Sequence, residues 1–146
     1  MTSRRFLHDS DFYAWSLEQA ALLRAGRVGE ADLEAIAEEI ESMGKTEKRE
    51  LVSRLTILLL HLLKWRRQPD GRGNFWRLSI ANARDEITDL LDDNPSLKTA
   101  LDEVMASAYR YARRKAAIET GTDEDTFPAA CPWSFAKAMD EDFWSG

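Results

Sequence analysis

Between Thr46 and Gln68 the chain reads TEKRELVSRLTILLLHLLKWRRQ, and no other stretch limits its choice of fold so strongly. Thr46 is an N-cap type, and Glu47 and Glu50 follow in the first turn, where unsatisfied N–H groups favour negative charge. From Leu51 to Trp65 the apolar residues (Leu51, Val52, Leu55, Ile57 to Leu60, Leu62, Leu63, Trp65) cover more than one helical face. Such a helix must be enclosed on most sides, in a core or a subunit interface. Lys64, Arg66 and Arg67 then fall where a helix C-terminus favours cations, and Pro69 stops it. The expected fold is all-α: a single-domain helical bundle, residues 1–146, of about five helices around this central one. Residues 1–8 are expected as a flexible N-terminus and 122–146 as an ordered C-terminal strap.

A chain of 146 residues can bury a real core without staples. Its 44% apolar and 32% charged residues exclude disorder. A net charge of −6 disfavours general attraction to nucleic acid or anionic membranes. Cys131 is the only cysteine, which rules out an internal disulfide and argues against a thiolate zinc site. No apolar stretch follows the basic N-terminus, so no secretory signal is expected. Leu58 to Leu63 is too short to span a bilayer, which needs roughly 20 apolar residues. A cytoplasmic protein with no membrane contact and no cofactor is expected.

Around the central helix the caps mark out its neighbours. Asp9 to Ala25 forms helix one, closed by Gly26, with Phe12, Trp15, Gln19, Leu22 and Leu23 inward. Helix two runs from about Asp32 to Met43, with Leu33, Ile36, Ala37 and Ile40 inward, and ends at Gly44. Turn residues crowd Arg67 to Asn74, the expected mobile loop. Helix four spans Phe75 to about Asp93, and helix five about Ser96 to Thr120, closed by Gly121. The tail holds Phe127, Trp133, Phe135, Phe143 and Trp144, too many aromatics for a solvated segment, and one short helix near Ser134 to Met139.

Three constellations carry possible chemistry. His61 lies on the most apolar helix, and an antiparallel helix two could bring Glu38 or Glu41 to it, as an acid–base or metal site. The structural alternative, a core histidine bonded to a carboxylate or carbonyl, is favoured because no third ligand is evident. No metal and no catalytic residue is therefore assigned, and a non-enzyme is favoured over an enzyme without the residues deciding it. Lys64, Arg66, Arg67, Arg72 and Arg77, interleaved with Trp65 and Trp76, form a basic stretch of the kind that holds single-stranded nucleic acid. Both tryptophans fall on apolar faces, which favours core roles instead. Arg110, Arg113, Arg114 and Lys115 face abundant acids, so internal ion pairing is expected there. Cys131 has no cation near it in sequence to activate its thiol.

Four segments, Asp11–Trp15, Ala37–Gly44, Leu58–Trp65 and Phe127–Trp133, occur in an order that resembles a bacterial family, domain of unknown function family 29. The resemblance implies a small, mainly helical, stand-alone protein and no activity or catalytic residue. The function expected from the residues is a protein–protein interaction or regulatory module, acting on a protein partner or as a homodimer. Its support is surplus apolar surface on the central helix and aromatics near both termini.

Overall fold

The computed structural model describes residues 4–71 and 73–144. Among these residues regular structure is entirely helical. Six α-helices follow in order: α1 Arg4–Ser10, α2 Phe12–Arg24, α3 Leu33–Arg67, α4 Asn74–Asp93, α5 Leu101–Thr120 and α6 Phe135–Met139. Short 3-10 turns stand at Val28–Glu30, Pro69–Gly71, Pro95–Ala100 and Glu124–Thr126. Packing divides the chain into two compact units, Met1–Thr46 and Glu47–Gly146.

In the Met1–Thr46 unit, helix α1 occupies a segment expected to be flexible; residues 1–3 lie outside the described ones. Asp11 caps α2 by accepting from the Ala14 N–H at 3.0 Å, and Gly26 ends it at φ 73°, a left-handed turn that suits glycine. The Gln19 side-chain oxygen accepts from the Asp32 N–H at 2.7 Å, and Asp32 in turn accepts from Ala35 at 3.2 Å to cap α3. The buried residues are Trp15, Gln19, Ala31 and Ala35. The faces expected inward are therefore mostly corrected: Phe12, Leu23, Leu33 and Ile40 are exposed.

Helix α3 also corrects the expected break at Gly44. Thr46 does not cap a new helix; its hydroxyl donates back to the Ser42 carbonyl at 3.0 Å, inside a continuous helix. Gly44 is exposed, and its neighbours Glu41, Met43, Lys45, Glu47 and Lys48 are strong helix formers. One exposed glycine costs a helix only about 1 kcal/mol, too little to stop it without a left-handed turn.

The Glu47–Gly146 unit holds the core. Leu51, Leu55, Leu58, Leu59, Leu62 and Leu63 of α3 are almost fully buried, and meet Ile80 and Ile87 of α4 and Val104, Ala108, Ala112 and Ala116 of α5. Alanines dominate the buried face of α5, and Gly121 closes that helix at φ 67°. The tail is pinned down as a strap. Arg84 of α4, 5% exposed, donates from Nε to the Ala138 carbonyl at 2.9 Å and from Nη2 to that of Phe143 at 2.7 Å. Tyr109 of α5 donates to the Pro128 carbonyl at 2.5 Å. Ser134 caps α6, and Phe127 and Ala138 join the core.

Candidate functional site

The structure divides the basic stretch between two environments. Lys64 pairs with Glu119 at 3.3 Å and lies 4.7 Å from the Trp76 ring. Arg77 stacks over Trp65 and Trp144, at 5.4 and 5.7 Å, and Trp65 lies against Trp144 with ring centres 5.0 Å apart. Lys64 thus ties α3 to α4 and α5, Arg77 serves the packing of the tail, and their aromatic partners, buried or half-buried, are not open platforms for bases. Arg72 lies outside the described residues. Gly71 lies against the Trp76 ring so closely that a Cβ there would collide with it.

Arg66 and Arg67 remain, both exposed. They line one pocket of about 470 Å³ together with Arg113 of α5 and Asp125 to Ala129 of the strap. Arg113 is held in place: Nε and Nη2 both donate to the Phe127 carbonyl, at 3.3 and 3.2 Å. Arg67 lies 6.0 Å from the Phe127 ring. Sequence reasoning assigned Arg113 to an internal ion pair, and a long one exists, 3.4 Å to Asp125. It missed that α5 sets this residue beside the end of α3, because no local pattern encodes the pairing of two helices 46 positions apart.

His61 is half-buried, outside the core it was expected to occupy, and donates from Nδ1 to the Ile57 carbonyl one turn back, at 2.8 Å. It is not sealed, and its ring meets the edge of Trp76 at 6.4 Å. The hairpin that would present Glu38 and Glu41 to it is absent, since Leu33–Arg67 is one helix. Glu38 and Glu41 are exposed and belong to the other unit. A carboxylate–imidazole pair does form, on the other histidine. His8 Nε2 meets Glu39 at 2.7 Å, and the His8 ring packs against Trp15 at 4.4 Å. The hydrogen bond that His8 donates to Glu39 raises its pKa above the usual imidazole range, with burial opposing.

A second cavity, about 650 Å³, separates α5 from the strap and is walled by Met105, Tyr109, Cys131, Trp133 and Phe135. Burial pushes the Cys131 thiol up, and its Sγ donates to the Trp133 carbonyl at 3.3 Å. That environment suits a packing thiol, not a nucleophile. Among the described residues no group of three or more His, Cys, Asp or Glu side chains could hold a metal ion. No helix there is long and apolar enough to cross a membrane.

Exposed apolar surface concentrates elsewhere. The central segment of α3, expected to supply it, is enclosed within its own unit. Instead Phe12, Tyr13, Leu17, Leu23 and Val28, then Leu33, Ile40 and Met43 of α3, stand open in the Met1–Thr46 unit. Leu33, half-buried Ile36, Ile40 and Met43 recur at intervals of three and four, along one stripe of the helix. No curated protein and no solved structure matches the chain. A family profile does, over residues 7–144, and the chain therefore belongs to the family described as domain of unknown function DUF29.

Proposed function

We propose that the protein is a non-enzymatic helical interaction module, with the Met1–Thr46 unit as its contact surface for a protein partner or a second copy of the chain. One observation carries this reading: eight large apolar side chains stand exposed in that unit, against four in the rest of the described chain. Scattered exposed apolar residues are ordinary, but contiguous ones mark partner surfaces. The stripe Leu33–Ile36–Ile40–Met43 has the spacing by which one helix packs on another.

Ile40 and Met43 are 63% and 69% exposed, so replacing both by Asp leaves the chain's own packing intact. Light scattering after size-exclusion chromatography, and co-purification from the host, test the reading directly. The expected result is a dimer or a discrete complex that the Ile40→Asp, Met43→Asp variant loses. A wild-type chain that stays monomeric and recovers no partner would remove the proposal. Association that survives the double substitution would move it off this stripe.

Nucleic-acid binding has weaker support. Of the five cations expected to carry it, Lys64 and Arg77 are engaged with the chain's own aromatics and carboxylates.

A further inference from the structure

We propose that the cavity lined by Arg66, Arg67 and Arg113 is a binding site for a small phosphate monoester carrying an apolar group. Its residues all belong to the Glu47–Gly146 unit, so it is independent of the interaction surface above.

The end of α3 alone accounts for two cations, because unsatisfied carbonyls there favour positive charge. It does not account for a third guanidinium, brought by α5 to the same cavity. Nor does it explain why Arg66 and Arg67 form no ion pair among the described residues, in a chain whose net charge is −6. Among the described residues the only carboxylate lining the cavity is Asp125; its side chain is 93% exposed and pairs with Arg113 at 3.4 Å. Such an exposed, long pair is weak, and a ligand oxygen displaces it at little cost.

Guanidinium groups match phosphate oxygens with two parallel N–H donors each, and Arg113 is already oriented by its bonds to the Phe127 carbonyl. Thr126 adds a hydroxyl to the lining. The remaining wall is apolar: exposed Pro128 and Ala129 give a ligand's organic portion a surface to cover, with buried Leu63 and Phe127 behind them. About 470 Å³ falls in the size range of small-molecule sites. A polyanion fits less well. Asp125 lines the cavity, and Asp123 and Glu124 precede it in the chain, so negative charge is added next to the arginines and disfavours a long polyanion.

Calorimetric titration of the full chain at low salt tests this, with phenyl phosphate, inorganic phosphate and phenol as probes. Saturable one-to-one binding of phenyl phosphate is expected, tighter than that of inorganic phosphate, with none for phenol. Exposed Arg66 and Arg67 are replaceable without loss of fold, which circular dichroism checks. Arg66→Gln or Arg67→Gln should each weaken phenyl phosphate about tenfold, the scale of one lost charge-assisted hydrogen bond. Arg114→Gln, on the exposed face of α5 outside this cavity, should leave it unchanged. Absence of saturable binding, or an equal loss in Arg114→Gln, would overturn the proposal. Tighter binding of a labelled single-stranded RNA or of anionic phospholipid vesicles, lost with the same arginines, would replace the small ligand by that macromolecule.

Discussion

Two side chains concentrate the polar design of the protein, one in each unit. Arg84 buries a cation to hold the strap, donating to two tail carbonyls while its guanidinium lies 5.5 Å from the Trp144 ring. Burial lowers its affinity for the proton, with Asp140 and Glu141 opposing, yet arginine stays charged at any physiological pH. Truncating it removes the donor from a buried carbonyl, that of Ala138, and from a part-buried one, that of Phe143. Arg84→Ala should therefore cost roughly 3 kcal/mol in urea unfolding and open residues 128–144 to protease. An unchanged midpoint would mean the strap is held by its aromatics alone. The second side chain is His8. Its folded pKa is raised, so the stabilisation it gives is fully present below the ordinary imidazole value and is lost as pH rises through the folded one. Hydrogen exchange at α1 should accordingly be slower at about pH 6 than the intrinsic rate change predicts, and relatively faster at about pH 8. His8→Gln should remove that difference, and a variant that keeps it would exclude His8 as its source. Neither residue was legible in the sequence. Arg84 sits on an amphipathic helix like any surface arginine, and the pairing of His8 with Glu39 depends on how α1 folds back, which no periodicity reports.

At the scale of elements the sequence was far more explicit, wherever a cap or a period was local. Asp11, Gly26, Asn94, Gly121 and Ser134 each stand at a helix end. The inward faces of α4 and α5 follow from their apolar spacing, because both pack against a core-lining segment of α3 that is apolar on more than one face. Gly44 shows the limit of such reading. Glycine ends a helix when it takes a left-handed conformation, as Gly121 does at φ 67°, and within a helix it merely weakens it. Residue type alone does not distinguish the two. The same substitution should then act with opposite sign at the two sites. Gly44→Ala, where an added Cβ meets nothing within 4 Å, should stabilise the protein by about 0.5–1 kcal/mol. Gly121→Ala, forced to a positive φ, should destabilise it by about 1 kcal/mol. Thermal melts of the two variants check this, and a destabilised Gly44→Ala would restore a break between residues 33 and 67.

For the whole molecule, the two units differ in what sustains them. The Glu47–Gly146 unit encloses the leucines of α3 among two long helices and a strap tied by Arg84, Tyr109 and Arg113. Among its described residues the Met1–Thr46 unit buries one tryptophan, two alanines and a glutamine, and three buried polar atoms (Trp15 Nε1, Gln19 Nε2 and Asp32 Oδ2) have no hydrogen-bond partner among them. Each such atom costs of order 1–3 kcal/mol, and a core that small returns little apolar burial in compensation. The chain should therefore open in stages, with the smaller unit first. Native-state hydrogen exchange is expected to give the amides of Leu55–Leu63 the global unfolding free energy, and those of α1 and α2 a markedly lower one. Equal protection of both would show that one cooperative core supports the entire chain. The same measurement links stability to function. A partner that covers the stripe on α3 must stabilise the unit it binds, by an amount that grows with its concentration over the dissociation constant. Protection should rise in α1, in α2 and at residues 33–43 on complex formation, while Leu55–Leu63 gains only by mass action on the whole fold. If instead protection rises first at Arg66, Arg67 and Arg113, the partner occupies the arginine cavity, and the contact surface assigned to the Met1–Thr46 unit is wrong.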